Sequence, residues 1–167
     1  MTAQIPEKLL LDGETLALCS EPLGHYFAFS GEYPRIMVEH CTALWRGYVG
    51  TWEIRDDRLY LLAIDAQFQD GSPARLVDLF PGHPDRVFAH WFTGTLRCPR
   101  GGTLRYVHMG YGSVLEEDLL LHIDRGVLTR REVRVNGKAE AHAPRGYGPA
   151  AFTTFPAKPA ASQGDQE

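Results

Sequence analysis

Few cysteines, no long apolar run and no excess of basic residues characterise this chain of 167 residues. Its three cysteines, Cys19, Cys41 and Cys98, are an odd number without CxxC spacing, which argues against a disulfide framework and a structural zinc site. The longest apolar runs, such as residues 59–64, fall far short of the roughly 20 residues that a membrane helix needs. With 17 basic and 21 acidic residues the formal net charge is −4, and no block of Lys or Arg offers a footprint for a phosphate backbone. We therefore expect a reduced, cytoplasmic protein that binds neither nucleic acid nor membrane.

Motifs of catalysis and cofactor binding are missing as well. There is no GxSxG, no phosphate-binding GK[ST] loop and no GxGxxG after a strand. His40 and Cys41 are adjacent, and neighbours on a strand point apart, so they cannot form a working dyad by adjacency alone. The first eight residues are polar and contain no apolar segment of a secretory signal. We predict no catalytic residue, metal site or cofactor, and the sequence leaves open whether the chain is an enzyme.

Strand-like segments separated by turn signals dominate the chain. The hydrophobic fraction of 44% and charged fraction of 23% are those of a globular domain. The strand pairs that we predict, each joined by a turn, are residues 9–11 with 15–18 at Asp12-Gly13, 44–54 with 58–66 at Asp56-Asp57, 87–98 with 103–109 at Pro99-Arg100-Gly101, and 119–124 with 127–135 at Arg125-Gly126.

One short helix is expected over residues 74–80, between Ser72 as N-cap with Pro73 at the first position and the Pro81-Gly82 stop. No helical crossovers separate the strands. The pattern predicts a mainly β fold, a single antiparallel rolled sheet or small barrel of roughly eight to nine strands with one short helix.

The composition changes after residue 137. Residues 1–137 form the predicted β domain, whereas residues 138–167 are rich in Ala, Pro and Gly. We expect this C-terminal segment to be partly docked, with Phe152 and Phe155 as anchors, and its last ten residues to be disordered.

The most distinctive local sequence is residues 45–54. A two-residue turn at Asp56-Asp57 sets Trp52 opposite Leu61 and Tyr48 opposite Asp65, with Arg46 on the same face, although two glycines suggest a bulge. Arg46 with Tyr48, Trp52 and Asp65 could read an anion, because guanidinium binds carboxylate or phosphate and stacks on aromatics. The alternative is a core arginine held by Asp65 beneath a packed tryptophan.

A second cluster follows from the Pro99-Arg100-Gly101 turn. The turn sets Gly94 opposite Tyr106 and His90 diagonal to His108, with Trp91 beside them. Two histidines on one face could bind a metal or act as an acid/base pair, or they could be half-buried and bonded to carbonyl groups. The candidate ligand-binding residues are therefore Arg46, Tyr48, Trp52, Asp65, His90, Trp91, Tyr106 and His108.

Two charged segments have ordinary interpretations. Glu116-Glu117-Asp118 opens a strand and is typical of a solvated edge. Arg130, Glu132 and Arg134 share one face of the last strand, which indicates a solvated sheet face, although arginine is also favoured in interfaces.

Several phrases together resemble a family of small, uncharacterised bacterial proteins with WRGYVxTWEI-type strands. The resemblance covers roughly residues 9–135 and implies a stand-alone bacterial cytoplasmic domain without implying an activity. The phrases are Leu11-Asp12-Gly13-Glu14, Trp45-Arg46-Gly47-Tyr48, Trp52-Glu53-Ile54, Leu59-Tyr60-Leu61 and Ala89-His90-Trp91-Phe92-Thr93-Gly94.

Acidic balance, many aromatics and arginines, and no catalytic constellation favour a non-enzymatic binding module of a bacterial cytoplasmic protein, inhibitor-like or immunity-like. The alternative is a small-ligand-binding β barrel or enzyme whose pocket is lined by Arg46, Tyr48, Trp52, His90 and His108. The expected partner is a protein or a small molecule, and pairing of strand edges is compatible with a homodimer.

Overall fold

A mixed β-sheet is the main feature of the computed structural model, which describes residues 2–31 and 41–147. Within these residues the sheet contains nine strands, and two helices accompany it, α1 (Pro22–Ser30) and α2 (Leu76–Leu79). The mainly β prediction is confirmed. The strands are β1 (Glu7–Leu11), β2 (Glu14–Leu18), β3 (Tyr48–Arg55), β4 (Arg58–Gln67), β5 (Pro73–Ala74), β6 (Val87–Phe88), β7 (Gly94–Arg105), β8 (Val114–Asp124) and β9 (Val127–Val135).

The strand order is β2-β1-β3-β4-β9-β8-β7, with β5 and β6 beside β4. The prediction of a wholly antiparallel sheet is wrong at one pair, since β1 and β3 are parallel. The chain between β2 and β3 is long enough to cross over and return in the direction of β1. The sheet curves so that its two ends approach each other. There the N–H of Cys19, which follows β2, donates to the carbonyl of Arg97 in β7 at 2.8 Å. The strand ladder nevertheless remains open, so a closed barrel is not formed.

Three of the predicted hairpin turns are confirmed. Their central residues have φ between 46° and 83°, which gives the twist that joins two adjacent strands. These turns are Asp12-Gly13, Asp56-Asp57 and Arg125-Gly126. The register predicted next to the second turn also holds, with Arg55 opposite Arg58 and Trp52 opposite Leu61.

A bulge in β4 changes which of its residues face the core. Trp52 pairs with Leu61 and Thr51 pairs with Ala63, so Leu62 has no partner on β3. The extra residue shifts the alternation by one position. The buried residues of β4 are accordingly odd-numbered before the bulge and even-numbered after it: Leu59, Leu61, Ile64 and Ala66.

This shift corrects the predicted neighbour of Tyr48. Tyr48 lies opposite Ala66, and Asp65 is exposed on the other face of β4. Asp65 is therefore separated from the aromatic side chains with which the sequence grouped it.

The predicted hairpin at Pro99-Arg100-Gly101 is wrong. Residues 94–105 form the continuous strand β7, which pairs with β8 along its length. Gly101 has φ of 89°, and it lies where the register between the two strands shifts, so it makes an irregularity within a strand and not a turn. His108 follows the end of β7 and His90 precedes its start, so the predicted diagonal pair does not form.

The sequence predicted one short helix, and α1 is an additional one. Pro22 supplies the favoured first residue, and Gly31 ends the helix in the left-handed conformation, donating its N–H to the carbonyl of Phe27. The second helix is shorter than predicted and starts after Arg75, because Pro73 and Ala74 pair with β4 as β5.

The core lies between the inward face of the rolled sheet and α1. Phe27 of α1 packs edge-on against Tyr48, with ring centroids 6.3 Å apart. Within the described part of the chain, neither helix is long and apolar enough to cross a membrane. Fully buried core side chains include Leu9, Trp52, Leu59, Leu61, Leu96 and Leu121.

The described start of the C-terminal segment contacts the body of the sheet. The N–H of Ala139 donates to Glu116 Oε1 at 2.9 Å, the N–H of Gly146 donates to the carbonyl of Gly101, and Tyr147 is buried. Phe152 and Phe155 lie outside the described residues.

Candidate functional site

Arg46 lies in the segment before β3 and is held from several directions. Its side chain is only 6% exposed. Nε donates to Glu7 Oε1 at 3.2 Å, Nη1 to the Tyr111 hydroxyl at 2.9 Å, and Nη2 to the carbonyl of Ile5 at 2.9 Å. Its Cζ atom also lies 5.4 Å from the ring centroid of Tyr48. The guanidinium therefore has a partner at each of its nitrogens.

Glu7 is the carboxylate at the centre of this cluster. It is fully buried, and its second oxygen accepts a hydrogen bond from Trp52 Nε1. A Cβ at position 50 would lie 2.6 Å from Glu7 Oε2, so Gly50 is the residue that makes room for the carboxylate. Burial raises the pKa of Glu7 to about 7, against the opposing effects of Arg46 and Trp52.

Tyr111 extends the cluster toward α1. Its hydroxyl donates to Glu21 Oε1 at 2.9 Å, and Glu21 lies 3.6 Å from Arg46 Nη1. Burial raises the pKa of Tyr111, so the hydroxyl stays protonated and able to donate. The cluster joins β1, β3 and the segment after β7 through satisfied polar groups, and its central charges are sealed from solvent. Its chemistry is that of a structural ion pair.

The predicted residues Arg46, Tyr48 and Trp52 are thus brought together, but around Glu7 and Glu21. Asp65 is not part of the cluster, because the β4 bulge turns it outward. Arg46 is therefore a core arginine beneath a packed tryptophan, as the alternative interpretation expected, but the carboxylate that holds it is Glu7 and not Asp65.

Trp91 lies between β6 and β7 and packs against α1. It stacks on Phe80 with ring centroids 5.7 Å apart and planes at 8°, and its Nε1 donates to the carbonyl of Pro22 at 2.9 Å. His90 beside it is exposed. Tyr106 and His108 form an exposed pair elsewhere, with Tyr106 Oη 2.8 Å from His108 Nδ1. The predicted residues therefore do not form one site. Arg46, Tyr48 and Trp52 lie together, and the others lie elsewhere on the fold.

A second buried carboxylate, Asp118, is one that sequence reasoning assigned to solvent. It is 1% exposed and accepts hydrogen bonds from Arg97 Nε at 2.8 Å, Arg134 Nη2 at 2.7 Å and Asn136 Nδ2 at 3.0 Å. Burial opposes ionisation, yet these donors and the charge of Arg97 hold the pKa of Asp118 below its usual value. The solvated-edge interpretation of residues 116–118 is wrong for this residue.

Sequence reasoning also missed Glu7, although a signal was present. Glu7 is in phase with Leu9 and Leu11, so its side chain points to the buried face of β1. A carboxylate in an apolar stripe indicates a buried partner of opposite charge.

Near the start of β9, two exposed arginines lie over two aromatic rings. Two aromatic rings, Tyr60 on β4 and Phe88 on β6, lie side by side with centroids 5.8 Å apart. The Cζ atom of Arg86 lies 4.7 Å from the Tyr60 centroid, and that of Arg58 lies 5.7 Å from the Phe88 centroid. We call these four residues the arginine–aromatic column.

The two arginines of the column are exposed, and neither forms an ion pair with a described carboxylate. Beside the column is an open groove of about 440 Å³. Guanidinium groups that stack on rings keep their N–H donors available for a carboxylate. The groove is lined by Arg58, Phe88, Asp124, Arg125, Val127 and Thr129.

The edge of β9 is open next to this groove. Val127 pairs with Arg58 of β4, but β4 then continues away from β9 with β6 and β5 at its side. Residues 129–135 of β9 are all exposed, and among the described residues they have a strand neighbour only on the β8 side. This half of the strand therefore presents a free edge.

No group of three or more metal-ligating side chains occurs in residues 2–31 and 41–147. A scan against models of protein families, a search of curated proteins and a search of solved structures each found no match to this chain.

Proposed function

We propose that the chain is a non-enzymatic interaction module that binds an acidic surface of a protein partner through the arginine–aromatic column and its groove. The observation that carries this proposal is the pair of exposed arginines, Arg58 and Arg86, stacked on rings and without a described carboxylate partner. Arginine and large aromatic residues contribute most of the binding energy at many protein interfaces.

A protein is favoured over a nucleic acid as the partner because the surface is not uniformly basic. Asp124 lines the same groove as Arg58 and Arg125, and the net charge of the whole chain is −4. Mixed charge of this kind suits carboxylates placed at particular positions better than a continuous row of phosphates.

We further propose a bacterial cytoplasmic setting and an inhibitor-like or immunity-like role. The three cysteines are free, which is compatible with a reducing compartment. A module without catalytic groups can act by covering the surface of another protein.

The test begins with the full chain purified from its own host and examined by native mass spectrometry with metal analysis. A stoichiometric protein found in this way is then produced separately, and its affinity is measured by calorimetry. The test variant is the double substitution Arg58→Ala with Arg86→Ala, and the control is Arg75→Ala, whose exposed guanidinium pairs with Asp78.

We expect the double variant to weaken binding by at least about tenfold, or 1.4 kcal/mol, and the control to bind as the unmodified chain does. Binding should also weaken as salt is raised. Equal affinity of all three proteins, or recovery of a small molecule instead of a protein, would contradict the proposal.

A further inference from the structure

The free edge of β9 offers a row of backbone groups and a defined pattern of side chains. Thr129 is an extra residue on β9, because His122 pairs with Arg130 whereas Ile123 pairs with Leu128. Beyond it, even-numbered and odd-numbered residues point to opposite faces. Arg130, Glu132 and Arg134 share the outward face with Asp118, and Arg131, Val133 and Val135 share the face of Leu119 and Leu121.

This pattern specifies the strand that would complement it. Antiparallel neighbours place residues of the same face directly opposite each other, and opposite charges in such pairs stabilise the sheet. The matching strand needs a basic residue opposite Glu132, an acidic residue opposite Arg134 and an apolar residue opposite Val133.

We infer that this strand is β9 of a second copy of the chain, paired antiparallel about a two-fold axis at Val133. In that register Val133 faces its own copy, and Glu132 of each chain faces Arg134 of the other. Two ion pairs thus flank an apolar contact, and the same patch serves both chains, as closed two-fold symmetry requires.

Other registers of the same two strands fit less well. Centring the axis on Glu132 places that carboxylate opposite its own copy and Arg130 opposite Arg134 of the other chain, so that like charges face each other. Centring it on Arg131 places two arginines opposite each other, although Arg131 is already paired with Asp12 at 2.5 Å. In the register at Val133 no like charges face each other. Glu132 already pairs with Arg130 at 3.0 Å and contacts His122, and Arg134 pairs with Asp118, so both side chains share these partners with the ion pairs across the axis.

Side-chain exposure agrees with this register. Val133 and Val135 are 50% and 74% exposed on a strand whose other side chains are mostly charged. Arg134 is 56% exposed although it reaches Asp118, so guanidinium donors remain for a carboxylate across the axis.

Charge reversal tests the register directly. Glu132→Arg leaves two arginines on each chain at the paired positions, and Arg134→Glu leaves two glutamates. Each single variant should therefore dimerise more weakly than the unmodified chain, whereas an equimolar mixture should form a heterodimer with both ion pairs restored. Arg105→Glu is the control, because this exposed residue at the end of β7 lies outside both the paired region and the groove.

Association is measured by sedimentation equilibrium up to about 1 mM, the range in which a small strand-edge contact is populated. Circular dichroism checks that each variant is folded. The expected result is a dimer of the unmodified chain and of the control, with dissociation constants at least about tenfold weaker for the single variants. A monomer at all concentrations, or a dimer insensitive to both reversals, would overturn the inference.

A second experiment does not depend on Arg134, whose replacement also disturbs Asp118. In a Cys41→Ser background, Val133→Cys places two thiols opposite each other across the axis, whereas Val135→Cys places each thiol opposite Arg131. Mild oxidation should link the first variant into a covalent dimer much faster than the second. Equal rates of linkage would contradict the register.

Discussion

The buried carboxyl group of Glu7 should make the stability of the fold depend on pH. Burial raises its pKa from 4.5 to about 7, so between these values the folded chain holds the proton more tightly than the unfolded chain does. This contribution to the free energy of unfolding is largest below pH 4.5, falls as pH rises through this interval and levels off above pH 7. Integrating the linkage relation from pH 5.5 to 8 gives a loss of about 2 kcal/mol.

Substitution of Glu7 isolates this effect from other titrating groups. Glu7→Gln removes the titration and places an amide N–H₂ where the protonated carboxyl has its O–H, facing the same two donors, Arg46 Nε and Trp52 Nε1, so at low pH its stability should lie within about 1 kcal/mol of the parent's. The unfolding free energy of the parent chain minus that of this variant should then fall by about 2 kcal/mol between pH 5.5 and 8. The exposed Glu14→Gln serves as the control.

Urea denaturation followed by tryptophan fluorescence measures these differences at each pH, and a carbon NMR titration of the Glu7 carboxyl group gives its pKa directly. A difference that stays constant over this range would mean that Arg46 keeps Glu7 ionised throughout. A difference that grows with pH would mean that its pKa is lowered. Either result would refute the argument that burial outweighs the ion pair.

Three further predictions concern stability and reactivity. Asp118→Ala leaves Arg97 without its carboxylate partner and should cost about 3–5 kcal/mol in urea denaturation, whereas Glu117→Ala, which removes a half-exposed pair with Arg100, should cost less than about 1 kcal/mol; a similar cost for both would contradict the buried role of Asp118. Gly50→Ala should lower the melting temperature because its Cβ meets Glu7 Oε2 at 2.6 Å, but Gly24→Ala in α1 should leave it unchanged or raise it, since the nearest atom there is 3.9 Å away; the opposite order would argue against this packing. A thiol reagent at pH 8 should modify the exposed Cys41 rapidly and the buried Cys19 and Cys98 only on unfolding, because burial raises the pKa of both thiols, that of Cys98 to about 12; rapid modification of all three in the native state would contradict their burial.

Local turn chemistry was readable from the sequence wherever a turn used residues that favour positive φ. Asp12-Gly13, Asp56-Asp57 and Arg125-Gly126 each set a register that depends only on residues near the turn, so Trp52 could be placed opposite Leu61. The predicted register failed beyond the bulge in β4, where Tyr48 was placed opposite the wrong residue. The two glycines of the facing strand suggested a bulge, but they did not locate the extra residue at Leu62, which is apolar and β-compatible in either register.

The hairpin turn predicted from the glycines of residues 99–102 was wrong for a related reason. A Pro-Arg-Gly sequence supports a tight turn in isolation, but the same glycine also fits an irregularity within a long strand. Pairing of β7 with β8 along almost its whole length outweighs one local turn. The histidine pair predicted from that turn therefore disappeared together with it.

The sequence by itself determined the mainly β class, the turns and the grouping of Arg46 with Tyr48 and Trp52, since these follow from alternation and from contacts close along the chain. Only the tertiary structure decided that Glu7 holds Arg46, that Asp118 is buried, and that the second half of β9 is a free edge. Glu7 and Arg46 are 39 residues apart in the chain, and the edge of β9 exists because β4 leaves it after one residue pair. Such outcomes depend on how whole strands compete for neighbours, and no local pattern of side chains encodes that competition.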